Sequence, residues 1–205
     1  MIVRSSTFGA MSGRHGDSIA SMDKDGKSII KLYTQPAKSS TDAQIAHRAK
    51  FGLVNKVLST HHRLFKNTFG SKGVNKAVAF AMKNAVTGTY PDYVIDYTKL
   101  TLSDGTLPTA SKLMAEIISG TTVNVTWDNH IFLEDNPTDR ANLAFMDTVS
   151  KKSVFVSGNA TRIDGSMQTD LSDLWTGNAI YCWFFFIDPA NGNKSISQYV
   201  GSLQL

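Results

Sequence analysis

From Ala179 to Ile187 the chain reads Ala-Ile-Tyr-Cys-Trp-Phe-Phe-Phe-Ile, with no charged or amide side chain. The run is too short to span a membrane and rich in aromatic residues, which suits a buried strand. Successive side chains of a strand point to opposite faces. Tyr181, Trp183 and Phe185 therefore share one face, and Cys182, Phe184 and Phe186 the other. Both faces are apolar, so both must be covered. One enters a core; the other is covered by helices or by another chain. A sheet with one solvated face is excluded for this strand.

A period of two runs through the second half of the chain from Tyr90. Val94, Leu100 and Leu102 begin it, then Val123-x-Val125-x-Trp127, Leu143 to Met146, Val154 to Val156 and Ile196 to Leu205. Turn pairs separate the runs: Asp104-Gly105, Asp128-Asn129, Asn136-Pro137, Gly158-Asn159, Asp164-Gly165 and Asn191-Gly192. Short strands with such turns predict a β-sandwich of immunoglobulin or fibronectin type over 91–205. Trp127, Leu171, Leu174 and Tyr181 are its expected core pins, and Tyr181 is placed to form a tyrosine corner.

The first ninety residues read differently. Ser18 to Asp23 and Lys27 to Thr34 flank Lys24-Asp25-Gly26, a hairpin signal in an extended, Gly-punctuated arm closed by Pro36. Thr41 then offers an N-cap with Gln44 as its capping-box partner. Ile45, Ala49, Leu53 and Val57, joined by Val54, Leu58 and Phe65, form one apolar helical face. Gly70-Ser71-Lys72-Gly73 breaks it. A second helix follows, with Val74, Ala77, Val78, Ala81 and Ala85 on one face and Gly88 as its C-terminal stop. The expected fold class is α+β: a β-hairpin arm and two antiparallel helices over 1–90, then the sandwich over 91–205.

Charge is unevenly spread. Between Asp42 and Asp92 there are eight Lys or Arg and no acidic residue. Residues 1–100 carry 15 basic and 6 acidic side chains, a formal +9; residues 101–205 carry 6 and 11, a formal −5. Such a chain can attract an anionic partner at one end or its own copies head to tail. No apolar run reaches the length of a transmembrane helix, and the N-terminus lacks the apolar stretch of a signal peptide. Membrane insertion is therefore not expected. Synthesis in the cytoplasm is expected, with a particle or filament as the final location. Cys182 is the one cysteine, so no intrachain disulfide forms.

Several stretches resemble a family of uncharacterised proteins, mainly from Bacteroidetes-type bacteria, known as a domain of unknown function. They are Phe8-Gly9-x-x-Ser12-Gly13-x-x-Gly16, Pro36, Thr41-x-x-Gln44-x-x-x-Arg48-x-x-Phe51 and Lys83-Asn84-Ala85-x-Thr87-Gly88-Thr89-Tyr90-Pro91. Asp96-Tyr97, Leu107-Pro108, Thr126-Trp127-Asp128, Ala160-Thr161-Arg162 and Tyr199-x-Gly201-Ser202 complete the set. Ser21-Met22 departs from it, where many members are expected to carry a tryptophan. The resemblance implies the architecture above and no activity.

Candidate chemistry is sparse. Arg48, Lys56, Arg63, Lys66, Lys76 and Lys83 form a basic helical face. It can bind phosphates, dock acidic protein surface or simply solvate the helices. Asp128, Asn129, Glu134, Asp135, Asn136 and Asp139 form an acidic loop without the spacing of an EF-hand, read as a solvated loop or a docking patch. Gly70 to Gly73 fits neither a P-loop nor a KH clamp and reads as a helix–helix turn. His61 and His62 are adjacent on a helix and point about 100° apart, so they cannot easily share one ion, and His47 is distant; structural or surface histidines are the reading. No Gly-x-Ser-x-Gly occurs, and Cys182 sits in a strand too apolar to favour a thiolate.

No catalytic residue, metal or cofactor is expected. The functional expectation is a non-enzymatic structural protein that self-associates into a homo-oligomer, as in a phage-like particle, tail component or filament. The alternatives are a nucleic-acid binder using the basic helices, or a sandwich module that binds carbohydrate or a cell surface through loops such as 128–139.

Overall fold

The computed structural model describes residues 2–3 (backbone), 12–35, 41–130, 136–171, 175 and 177–204. The chain forms two compact units, residues 1–42 and 43–205. The boundary expected at 90/91 falls inside the second unit, because the helices share a hydrophobic core with the sheet that follows them.

The first unit is a four-stranded antiparallel sheet in the order β1-β4-β3-β2. Its strands are β1 (Ile2–Val3), β2 (Gly13–His15), β3 (Ser18–Met22) and β4 (Ser28–Leu32). The hairpin expected around Asp25-Gly26 is present, with Ser18 opposite Leu32 and Met22 opposite Ser28. Gly26 takes φ 73°, and its N–H donates to the Asp23 carbonyl at 2.9 Å. The rest of the expected arm is not a free extension. β2 turns back through Gly16, at φ 58°, onto β3, and β1 pairs with β4. Pro36 lies outside the described residues.

The second unit begins with three helices where two were expected: α1 (Asp42–Thr60), α2 (His62–Phe69) and α3 (Gly73–Asn84). The break between α1 and α2 falls at His61. α2 turns into α3 through Gly70, at φ 83°, whose N–H donates to the Lys66 carbonyl at 2.9 Å. This is the helix–helix turn expected there. A Cβ on Gly73 would meet the Phe65 carbonyl oxygen at 2.0 Å, so glycine sets how closely α3 approaches α2. α3 ends at Asn84 rather than near Gly88. The chain then forms the two-stranded β5 (Val86–Thr87) and β6 (Val94–Ile95), and Asp96 N–H bonds the Ala85 carbonyl.

The remaining strands make two sheets. β10 (Lys152–Thr161), β9 (Arg140–Asp147), β12 (Ala179–Ile187) and β13 (Gln198–Gln204) form one, in that order. β11 (Ser166–Asp170), β8 (Thr122–Thr126) and β7 (Met114–Ser119) form the other. The two faces of the four-stranded sheet meet different layers. Leu143, Phe145, Cys182, Phe184 and Phe186 pack with Val123, Val125, Trp127 and Met167 on the three-stranded side. Ala144, Met146, Trp183 and Phe185 pack with Val54, Leu58, Phe65, Ala77 and Ala81 of the helices. The order is helices, four strands, three strands. The helices are thus the cover that the nine-residue apolar run requires. Burying each of its large side chains contributes about 1.5–3 kcal/mol.

Trp127 lies in the inter-sheet core as expected, and its Nε1–H donates to the Arg162 carbonyl at 2.8 Å. Tyr181 does not. Its parity places it on the helix side, half-buried, with its ring 5.1 Å from Tyr97 and 6.2 Å from Tyr199. Leu171 is buried in the inter-sheet core, and Leu174 lies outside the described residues.

Candidate functional site

The six predicted basic residues are all exposed and are spread over three helices. Arg48 and Lys56 are on α1, Arg63 and Lys66 on α2, and Lys76 and Lys83 on α3. Lys56 and Arg63 flank the break at His61 and line two adjoining clefts there. Lys66 lines a third cleft of about 200 Å³ with His62 and Lys72. Arg48, Lys76 and Lys83 line none of these.

The α1–α2 junction is the most developed site. Opposite it stands the turn between β9 and β10. Asp147 at the end of β9 builds that turn: its carboxylate accepts from the N–H groups of Val149 at 2.8 Å and Ser150 at 3.0 Å, and from Asn178 Nδ2 at 2.7 Å. Burial works against the Asp147 carboxylate, but the hydrogen bonds from Ser150, Val149 and Asn178 hold its pKa below the usual value. The turn closes on Lys151, a non-glycine residue at φ 58°. That conformation costs an L-residue about 1 kcal/mol or more.

The first cleft, about 280 Å³, has an apolar side of Leu53, Val57 and Tyr97 and a polar side of Lys56, Thr60 and Lys151. The second, about 290 Å³, is lined by Arg63, Lys152 and Ser153 together with Thr60, His61 and Lys151, which also line the first. Among the described residues no Asp or Glu lines either cleft. His61 is 2% exposed, and its Nδ1 is buried with no hydrogen-bond partner among the described residues. Burial lowers the His61 pKa, against a smaller upward pull from Asp147, so the ring is held toward its neutral form. The arrangement offers cationic side chains, hydroxyls and an unpaired imidazole nitrogen beside an apolar wall.

The acidic loop fares otherwise. Asp139 is fully buried and paired with Arg162 at 3.0 Å, so it cannot meet a partner. Asp128 carries an ion pair with Lys112 at 2.8 Å and accepts the His130 N–H at 3.1 Å. Its pKa is lowered, chiefly by the Lys112 hydrogen bond. Glu134 and Asp135 lie outside the described residues. The sequence segregation of charge is also not preserved in space at the junction. Lys151 and Lys152 come from the acidic half, yet they stand with Lys56 and Arg63.

His47 and His62 are exposed while His61 is buried, so the three do not converge. No group of three or more His, Cys, Asp or Glu able to hold a metal is found among the described residues. Burial pushes the Cys182 thiol far above its usual pKa, which leaves it protonated.

Sequence reasoning missed Thr60, His61, Lys151 and Lys152 as neighbours. The turn at 148–152 was legible between two strand signals. Its position over the helix break was not, because that depends on how the sheet packs against the helices.

The fold and these clefts define an α+β protein with a sandwich-like part. Over residues 10–201 the sequence matches one family model, and the chain belongs to that family, described as a "Family of unknown function (DUF6266)". No curated protein matches the chain in sequence. Among solved structures, the fn3 domain of the human collagen alpha-1(XX) chain is similar over 50% of this chain and 90% of that one. The identity is 17% and the TM-score 0.34, a likeness that carries no argument about fold or function.

Proposed function

We propose that this protein is a non-enzymatic structural subunit that self-associates into a larger assembly, such as a phage-like particle, tail component or filament, with the N-terminal sheet as its contact module. The observation that carries this reading is the poverty of that sheet's own core. Among its described residues Ala20 is the buried apolar side chain, while Ile19, Met22 and Leu32 are 39%, 50% and 80% exposed. A sheet that buries so little apolar area is marginal alone and gains from a cover. Its edge strand β2 is three residues long and exposed throughout, and among the described residues no strand pairs with its outer edge, which suits strand addition.

The second unit then serves as the scaffold. The strand orders β11-β8-β7 and β10-β9-β12-β13 support reading its sheets as an immunoglobulin- or fibronectin-like sandwich.

The test is mass by light scattering across concentration and salt, on the parent chain and on Ile19→Lys/Leu32→Lys. The parent should exceed the 22.4 kDa of one chain. The double variant should move toward that mass with an unchanged circular dichroism spectrum. A parent that stays monomeric at all concentrations overturns the reading. A variant that keeps the parent's mass removes the sheet from it.

A further inference from the structure

We propose that the paired clefts at the α1–α2 junction bind a phosphate monoester with an apolar body. The phosphate would sit in the cationic cleft and the body against Leu53, Val57 and Tyr97. This goes beyond the assembly reading and involves different residues.

Four observations converge. First, Lys56, Arg63, Lys151 and Lys152 line the two clefts, and among the described residues no carboxylate does. A cleft lined by one sign of charge with apolar walls concentrates the opposite charge, and a dianion matches several cations better than one carboxylate. Second, Ser153 supplies a hydroxyl, a usual neutral partner of phosphate oxygens. Third, His61 is 98% buried by its 2% exposure, lines the second cleft and has an Nδ1 unpartnered among the described residues. An unpaired buried polar atom in a native protein calls for a partner. Fourth, Lys151 sits at φ 58°, where Gly or Asn is the usual choice. Strain at a non-glycine residue points to a use for its side chain, and this one lines both clefts.

The adjoining apolar wall sets the class of ligand. Leu53, Val57 and Tyr97 are partly buried and stand beside the cations of the same cleft. An inorganic anion would leave that wall unused, whereas an aryl or alkyl phosphate fills both halves.

The experiment is isothermal titration of the full-length protein at ~150 mM salt, where long-range attraction is screened. The probes are phenyl phosphate, inorganic phosphate, benzoate and phenol. Phenyl phosphate should bind saturably, about tenfold or more tighter than inorganic phosphate or benzoate, the difference expected for one added apolar or charge-assisted contact. Phenol should not bind. Lys151→Gly removes the cation and relieves the left-handed backbone, so it should hold or raise the melting temperature while weakening phenyl phosphate about tenfold. Lys56→Gln, on an exposed helical position, should weaken it similarly. The proposal is overturned if phenyl phosphate shows no saturable binding at millimolar concentration. It is equally overturned if both variants bind like the parent, if benzoate matches phenyl phosphate, or if binding seen at low salt vanishes at ~150 mM.

Discussion

Arg162 and Asp139 form an ion pair in the sandwich interior, with Nη2 and Oδ2 3.0 Å apart and side chains 4% and 0% exposed. The same guanidinium donates to the Pro108 carbonyl at 2.9 Å and lies 3.8 Å over the Phe186 ring. The Arg162 N–H donates to the Asp139 carbonyl at 2.8 Å, and the Arg162 carbonyl accepts from Trp127. One residue thereby joins both sheets and the 105–110 segment. Removing either charge leaves the other buried alone, which costs about 3–5 kcal/mol. Asp139→Asn and Arg162→Met should each lower the unfolding free energy, measured by urea titration, by that amount. Replacing both with apolar residues should cost less than the sum of the two. Strict additivity would show the charges to be independent.

Trp127 and Tyr181 should separate under truncation. Trp127 is 6% exposed and packs 5.0 Å from Phe184 and 6.0 Å from Phe186. Trp127→Ala should cost about 3–5 kcal/mol, as large core truncations do. Tyr181 is half-buried in a ring cluster at the helix-side margin, so Tyr181→Ala should cost about 1–2 kcal/mol. Equal losses in denaturant titrations would contradict the assignment of the two rings to different layers.

What the sequence disclosed follows its periodicity. The run 179–187 required two covers, and the helices provide one of them. The strand signals around Val123, Leu143, Val154 and Ile196 correspond to β8, β9, β10 and β13. β7 and β11 were missed: Met114–Ser119 is mostly exposed and Ser166–Asp170 is polar, so neither shows an apolar alternation. Tyr181 was misplaced because parity says which residues share a face, not which layer that face meets. The helix break at His61 was illegible, since the apolar spacing runs on through it from Val57 and Leu58 to Phe65. The clefts were hidden for the same reason as Asp139: both depend on contacts between residues far apart in the chain.

His61 should make stability depend on pH. Its folded pKa lies below the unfolded value of about 6.5. The unfolded state therefore binds more protons between those two values, and stability falls as pH drops through that window. Asp147 acts lower: its folded pKa is depressed, so its contribution is lost only below the ordinary carboxylate range. The melting temperature should thus decline between pH 7 and pH 5, and His61→Phe should flatten that slope. A slope unchanged in this variant would assign the effect elsewhere.

Two glycines in the helical layer should respond oppositely to the same substitution. Gly52 lies inside α1, exposed, and a Cβ there meets nothing within 4 Å. Alanine is the better helix former by about 0.8–1.0 kcal/mol, so Gly52→Ala should raise stability by about that much. Gly73 opens α3 against the Phe65 carbonyl oxygen, 2.0 Å from where a Cβ would stand. The obstacle is backbone in the middle of α2, which cannot rotate away. Gly73→Ala must therefore push α3 off α2, and should cost about 1–3 kcal/mol as an overpacked core does. The displacement should also reach Lys194, whose Nζ donates to the Thr68 carbonyl near the end of α2. Thermal melts of the two variants measure the contrast directly. If both alanines stabilise, the close approach of α2 and α3 at Gly73 is not as described.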